Sequence, residues 1–181
     1  MMTYSPTSKG CASFDAFLGD KVVATIKVDL STHVGATEGT TVAEPANRLA
    51  LPKLITVPYR LYLVVNQVAD KFCATIADYL GEPSSREKDL VDLVVVAVTQ
   101  TMAAPDLSGA IVAECRLRRL DVPETFAVPE TWGTSYAKLA KNTPAEPYNI
   151  TAARALMGKF IDPVLSGEAD GNWHAETQTW H

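Results

Sequence analysis

The sequence predicts an α+β protein, with an antiparallel β-sheet and two or three helices packed on one face of that sheet. Residues 21–30 alternate between apolar and polar side chains, which is typical of a half-buried strand. The apolar face of this strand comprises Val22, Ala24, Ile26, Val28 and Leu30. Residues 83–104 instead carry apolar side chains at helical spacing, which indicates an amphipathic helix.

The residues around the first strand predict the rest of the sheet. Residues 11–18 form a shorter strand, and the Gly19-Asp20 turn joins it to residues 21–30 in a hairpin. Residues 31–47 are rich in Thr, Gly and Pro and predict a long loop. Residues 48–68 predict another strand, with Leu61, Leu63 and Val65 facing the core.

The predicted helix has both a start signal and an unusually wide apolar stripe. Ser84 and Glu87 have the spacing of a capping box. The apolar positions are Leu90, Leu93, Val94, Ala97, Val98 and Met102, joined by Val91, Val95 and Val96. Because this stripe is wider than one buried face needs, we expect it to be covered on more than one side, by its own domain or by a second subunit.

Two segments fit both helix and strand. We favour a strand for residues 70–80, because the preceding residues are of β type. We favour a helix for residues 107–119, because Pro105 suits the first turn of a helix.

The remaining residues predict a C-terminal extension, residues 121–181, attached to a core domain of residues 1–120. Four prolines between residues 122 and 147 predict an extended segment, with at most a short helix near residue 135. Asn149 is suited to cap a last helix over residues 151–165, which Pro163 would close.

Composition limits the function classes. The 181 residues carry a net charge of −5, so no overall basic field attracts nucleic acid or anionic lipid. Cys11, Cys73 and Cys115 lack a short spacing, and we interpret them as reduced, mostly buried thiols inside a cell. The longest apolar run is too short to cross a bilayer, and no signal-peptide pattern occurs, so we expect a soluble protein that is not secreted.

No pattern of a catalytic or metal site is present. The sequence lacks the GxSxG, HExxH, P-loop and GxGxxG motifs. His174 and His181 are seven residues apart, which is not a helical spacing for metal ligands. We therefore predict no catalytic residue, no metal, no cofactor and no enzymatic activity.

One polar strand face is a candidate nucleic-acid surface. Its residues, at alternate positions, are Thr56, Arg60, Tyr62 and Asn66. Such a face can stack an unpaired base and hold phosphates. The alternative is an ordinary exposed sheet face.

The stretch Ser85-Arg86-Glu87-Lys88-Asp89-Leu90-Val91-Asp92-Leu93, followed by Ala104-Pro105-Asp106-Leu107, carries a family resemblance. Together with the preceding hairpin and strands, it resembles the coat proteins of the small single-stranded RNA phages. The resemblance implies two subunits that interlock their helices over a continuous sheet, whose inner face meets RNA, and many dimers that close a shell.

The resemblance also implies partners, sites and a location. The partners are copies of the same chain and RNA, with no membrane, in a virion assembled in the host cytoplasm. The subunit interface would use Leu93, Val94, Val98 and Met102 of the helix. Trp173 and Trp180 would belong to an added arm that packs on neighbouring subunits.

We therefore expect a structural coat subunit that self-assembles and packages RNA. The alternative is a small intracellular enzyme or ligand-binding domain whose site is built from scattered residues.

Overall fold

A computed structural model of the chain describes residues 11–29, 39–46, 57–77 and 86–181. Within these ranges it contains five α-helices and seven short strands, and the strands form three separate antiparallel sheets. The predicted α+β class is confirmed. The helices pack mainly on one another.

The chain divides into two compact units, Met1–Gly35 and Ala36–His181. The sequence placed a boundary after residue 120, whereas the structure divides the chain much earlier. Residues on both sides of position 120 share one hydrophobic core in the second unit, which includes Phe72, Leu93 and Phe160.

The first unit contains a hairpin of two strands, β1 (Cys11–Leu18) and β2 (Lys21–Asp29). Gly19 has a φ of +63° in the connecting turn, a conformation that glycine adopts without steric cost. The predicted hairpin is confirmed. The predicted last residue of the second strand, Leu30, lies outside the described residues.

The second unit begins with a small sheet and a helix. Strand β3 (Thr40–Ala43) pairs with β4 (Tyr59–Tyr62), and helix α1 (Val64–Ile76) follows directly. The structure corrects two predictions, because residues 40–43 are a strand within the expected loop, and residues 64–76 are helical.

Helix α1 escaped prediction because its apolar residues satisfy two periodicities. The residues buried in α1 include Val68, Ala69, Phe72 and Cys73, which recur at helical spacing. This face packs on the second and third helices, and those contacts are distant in sequence. Tertiary packing therefore decides between two local conformations that the sequence permits.

Helix α2 (Glu87–Thr99) carries the wide apolar stripe, and Leu90, Leu93 and Val94 are buried as predicted. Its N-cap is Arg86, so Glu87 is the first residue of the helix and not the third, as the predicted Ser84–Glu87 capping box requires. Ser84 lies outside the described residues.

The segment after α2 contains a two-residue strand, β5 (Met102–Ala103), and helix α3 (Ala104–Arg118). Pro105 lies in the first turn of α3, and the predicted helix is confirmed. Two further helices, α4 (Gly133–Ala140) and α5 (Ile150–Ser166), pack on α2. Helices of the same chain therefore cover the wide apolar stripe of α2.

Helix α5 begins as predicted but ends later. The Oδ1 atom of Asn149 accepts a hydrogen bond from the backbone N–H of Ala152 at 2.9 Å, which confirms Asn149 as the N-cap. Pro163 lies inside the helix and does not close it. The helix ends at Gly167, whose φ is +75°.

The last residues form strands β6 (Asn172–His174) and β7 (Thr179–Trp180). Strand β6 lies between β5 and β7, so this C-terminal hairpin is joined to the segment between α2 and α3. Before β6, Gly171 has a φ of +68°, and a Cβ atom there would lie 2.5 Å from the carbonyl carbon of His181.

Candidate functional site

Two of the four predicted nucleic-acid-binding residues share a face of β4. Arg60 and Tyr62 are two positions apart in this strand, so both side chains lie on the same face. Arg60 is exposed and Tyr62 is half-buried. Their cross-strand neighbours on β3 are Val42 and Thr40.

The other two predicted residues do not extend that face. Asn66 belongs to α1 and not to a strand, so its spacing from Arg60 no longer places it on the sheet face. Thr56 lies outside the described residues. Leu61, which we expected in the core, is 45% exposed. Both faces of this two-stranded sheet therefore carry exposed side chains.

The β1–β2 hairpin has one apolar face and one polar face. Its register pairs Ala12 with Val28, Phe14 with Ile26 and Ala16 with Ala24, so these six side chains lie on one face. The opposite face carries Asp15 and Thr25, and the Thr25 hydroxyl donates to the Asp15 carboxylate at 2.7 Å.

The apolar face of the hairpin is exposed along β2, which corrects the predicted half-buried strand, whereas Phe14 and Ala16 on β1 are half-buried. Ile26 is 55% exposed and Val28 is 38% exposed, although Ala12 is buried. The turn end is also apolar, and Leu18 there is 76% exposed. A register irregularity between Ala16 and Phe17 places Val22 opposite Phe17 and not on this apolar face.

Most of the predicted subunit-interface residues are buried in their own chain. Leu93, Val94 and Trp173 have no exposed surface, and Met102 is 6% exposed. These four side chains belong to the core and do not offer a surface to a partner. Val98 and Trp180 are only half-buried, so part of each side chain remains accessible.

The aromatic residues of the C-terminal hairpin dock on the helices and do not form a free arm. The Trp173 indole N–H donates to the Ala97 carbonyl of α2 at 2.7 Å, and the Trp180 indole N–H donates to the Phe160 carbonyl of α5 at 3.1 Å. The Phe160 and Trp173 ring centroids are 4.8 Å apart. The prediction of an added arm for neighbouring subunits is therefore wrong for Trp173.

The C-terminal hairpin also brings together His174 and His181, whose seven-residue spacing is not a helical spacing for metal ligands. The imidazole rings of His174 and His181 stack with centroids 4.0 Å apart and planes 12° apart. They border a cleft of about 450 Å³, whose other polar lining includes Thr99, Thr101 and Glu176. The antiparallel pairing of β6 with β7 brings the two rings together. This pairing is hard to predict from the sequence, because the two strands are only three and two residues long.

Ion pairs hold α1 against its two neighbouring helices. The Lys71 ammonium lies 3.2 Å from Asp89 and 2.5 Å from Asp92, both on α2. Burial alone would raise the pKa of Asp92, but hydrogen bonds from Lys71 and Lys88 outweigh burial and lower this pKa below its ordinary value. These charges stabilise contacts within the chain.

A second ion-pair group connects α1 with α3. Arg118 on α3 pairs with Asp70 on α1 and with Glu114 on its own helix, where Nε lies 2.6 Å from the carboxylate. Burial would lower the pKa of Arg118, but the hydrogen bond that Arg118 donates to Glu114 and the charge of Asp70 raise this pKa above its ordinary value. Arg118 is thus engaged inside the chain and not presented to phosphate.

Neither a metal site nor a membrane-spanning helix occurs among the residues that the structure describes. Among these, no group of three or more His, Cys, Asp or Glu side chains is arranged to hold a metal ion. No helix of the described part is long and apolar enough to cross a membrane.

Comparison of the sequence with models of known protein families, and with curated proteins, gives no match.

Proposed function

We propose that this protein is a structural coat subunit whose copies associate into a shell and package RNA, in a virion assembled in the host cytoplasm. The observation that supports the proposal best is the exposed apolar face of the β1–β2 hairpin. Contiguous exposed apolar surface is characteristic of protein–protein interaction sites.

An isolated two-stranded hairpin is marginally stable in water, and it needs further strands or a packed face to persist. Ile26, at 55% exposure, has most of its burial free energy still to gain. A second copy that covers this face supplies that burial and can extend the sheet at a strand edge that none of the described residues pairs with.

The proposed interface therefore differs from interlocked α2 helices. Leu93 and Val94 of α2 already contact the core of their own chain, so opening them to a partner would expose apolar surface elsewhere. In this proposal the hairpin makes the first dimer contact, and Val98 and Trp180 contribute only through the parts of their side chains that remain accessible.

The RNA part of the proposal rests on β4. Arg60 is exposed, and none of the described residues forms an ion pair with it. A free guanidinium can bind a phosphate, and the neighbouring Tyr62 ring offers a surface on which a base can stack. This face is short, so many copies in a shell would be needed to hold a long RNA.

Particle size tests the proposal directly. We expect light scattering to give a mass many times larger than the 19.5 kDa of one chain. In the variant Ile26→Lys, a charge on the apolar hairpin face should reduce the particles to monomers, because this face makes the first dimer contact. The matched control Thr25→Lys adds the same charge on the opposite face, beside Asp15, and should leave assembly intact.

Two results would contradict the proposal. A wild-type mass of 19.5 kDa at all concentrations would exclude a coat subunit. Equal assembly of the Ile26→Lys and Thr25→Lys variants would exclude the apolar hairpin face as the contact.

A second candidate function is ligand binding, and the cleft beside His174 and His181 favours it. Two imidazoles, nearby threonine hydroxyls and Glu176 can donate to and accept from a small polar ligand. Calorimetric titration with Zn²⁺ and with inorganic phosphate would test this function. Saturable binding that His174→Ala removes would support it, and the absence of heat with both probes would argue against it.

A further inference from the structure

Two buried cysteines from different helices are in contact. The Sγ atoms of Cys73 in α1 and Cys115 in α3 lie 3.4 Å apart, although the residues are 42 positions apart in sequence. Cys73 is 0% exposed and Cys115 is 1% exposed. The third cysteine, Cys11, belongs to the hairpin of the first unit.

We infer that Cys73 and Cys115 form an intramolecular disulfide under oxidising conditions, which ties α1 covalently to α3. A disulfide has an S–S length of about 2.05 Å, so the two sulfur atoms must approach by about 1.3–1.4 Å from their 3.4 Å separation. The two side chains and their helices must move by this amount before the bond can form. The spacing of the cysteines in the sequence gives no sign of the pair, because only the packing of α1 on α3 brings them together.

Neighbouring ion pairs keep the two helices in register at this point. Asp70 lies one helical turn before Cys73, and Arg118 lies one turn after Cys115. Arg118 pairs with Asp70 across the two helices and with Glu114 on its own helix. The contact between the sulfur atoms is therefore supported by charged groups on both helices and is not an isolated approach of two side chains.

The reaction is a two-electron oxidation that a small disulfide such as oxidised glutathione can perform. One cysteine thiolate attacks a glutathione sulfur, forms a mixed disulfide and releases one glutathione thiol. The second cysteine then loses its proton, attacks the mixed disulfide and releases the second glutathione thiol. The two cysteines lose two protons and two electrons in total, and one oxidised glutathione becomes two reduced molecules.

Burial determines when this reaction takes place. Burial raises the pKa of both thiols above the ordinary value, so few thiolates are present in the folded chain. We therefore expect fast formation of the disulfide while the chain folds, and slow formation in protein that is already folded. For the same reason, the finished disulfide should resist reduction unless the helices separate.

Counting free thiols after refolding tests the inference. The full chain would be unfolded, refolded with a mixture of oxidised and reduced glutathione or with dithiothreitol, freed of these reagents, and then alkylated with iodoacetamide in denaturant, which exposes the buried Cys73 and Cys115. We expect three alkylated cysteines after reducing refolding and one, Cys11, after oxidising refolding. Peptide mapping should show Cys73 linked to Cys115, and the oxidised protein should melt roughly 5–15 °C higher.

Variants distinguish this pair from other links. Cys11→Ser should leave the cross-link and the rise in melting temperature unchanged. Cys73→Ala should remove both. Two results would overturn the inference. One is three alkylated cysteines after oxidising refolding, in protein whose circular-dichroism spectrum matches that of the protein refolded under reducing conditions. The other is a disulfide that includes Cys11. If the unfolded chain does not refold, folded protein would be incubated with oxidised glutathione at a urea concentration just below its unfolding transition, where the helices open locally. The same count is expected, and three free thiols there would equally overturn the inference.

Discussion

At the scale of single residues, Tyr136 has a buried hydroxyl whose hydrogen-bonding capacity is unsatisfied within the described residues. Its hydroxyl is the buried side-chain oxygen in the described residues that has no hydrogen-bond partner. Burial, with a smaller contribution from Tyr148, raises the pKa of Tyr136 to about 12. Its ring, by contrast, packs in the core with Trp132 and Ala140.

We expect Tyr136→Phe to stabilise the protein by about 1 kcal/mol, because it removes a desolvated hydroxyl and keeps the ring. Urea unfolding would measure the change. The matched control is Tyr148→Phe. The Tyr148 hydroxyl accepts a hydrogen bond from the Gln178 amide at 2.6 Å, so its removal should destabilise the protein by about 0.5–1.5 kcal/mol. Destabilisation by Tyr136→Phe larger than that of the control would show that the Tyr136 hydroxyl has a partner after all.

Single residues were predicted well where the signal is local. Asn149 caps α5 because its side chain accepts a hydrogen bond from the backbone N–H three residues ahead. This contact is local, so the position of Asn149 before the helix is enough to predict it. The burial of Leu93 followed in the same way from the helical stripe around it. What surrounds Leu93 did not follow, because the stripe indicates that a face is covered but not which chain covers it.

At the scale of elements, the C-terminal hairpin joins the core through one tryptophan. Trp173 packs on Phe160, donates to the Ala97 carbonyl and pairs through its backbone with Met102. This element therefore connects α2, α5 and the segment before α3. The family resemblance implied an arm for neighbouring subunits instead. Two strands of three and two residues leave almost no periodic pattern from which the hairpin could be predicted.

We expect Trp173→Ala to destabilise the protein by about 3–5 kcal/mol, because it leaves a large cavity and an unpaired Ala97 carbonyl. Trp180→Ala, at a half-buried position, should cost clearly less. Thermal and urea unfolding of both variants would measure the difference. Equal and small effects would mean that the C-terminal hairpin is only loosely attached.

Helix α1 shows why secondary structure was the harder part of the prediction. Residues 70–76 alternate in polarity and also repeat at helical spacing, so either conformation buries Phe72. The choice is made by α2 and α3, which supply partners for Lys71, Asp70 and Cys73. The pairing of the two cysteines was hidden for the same reason, since it depends on that helix.

At the scale of the whole molecule, charge and exposed surface are distributed unevenly. The net charge of −5 opposes RNA binding in general, so an RNA surface must be local. Several cations are already engaged inside the chain, among them Lys71 and Arg118. The sequence predicted the candidate face from alternation, and the structure keeps only the part of it that is truly strand, Arg60 and Tyr62.

If β4 binds RNA, Arg60→Ala should weaken binding and reduce the slope of log affinity against log salt by about 0.7, because one phosphate contact is lost from a single strand. Tyr62→Ala should cost about 1–3 kcal/mol if a base stacks on the ring. Binding of single-stranded RNA at several salt concentrations would measure both effects.

Lys159→Ala, which removes one charge from the exposed side of α5, is the control and should leave the slope unchanged. Because Tyr62 is half-buried, its variant also needs an unchanged melting temperature before its affinity is compared. Equal slopes for wild type, Arg60→Ala and Lys159→Ala would exclude β4 as the RNA surface, even if the hairpin still drives assembly.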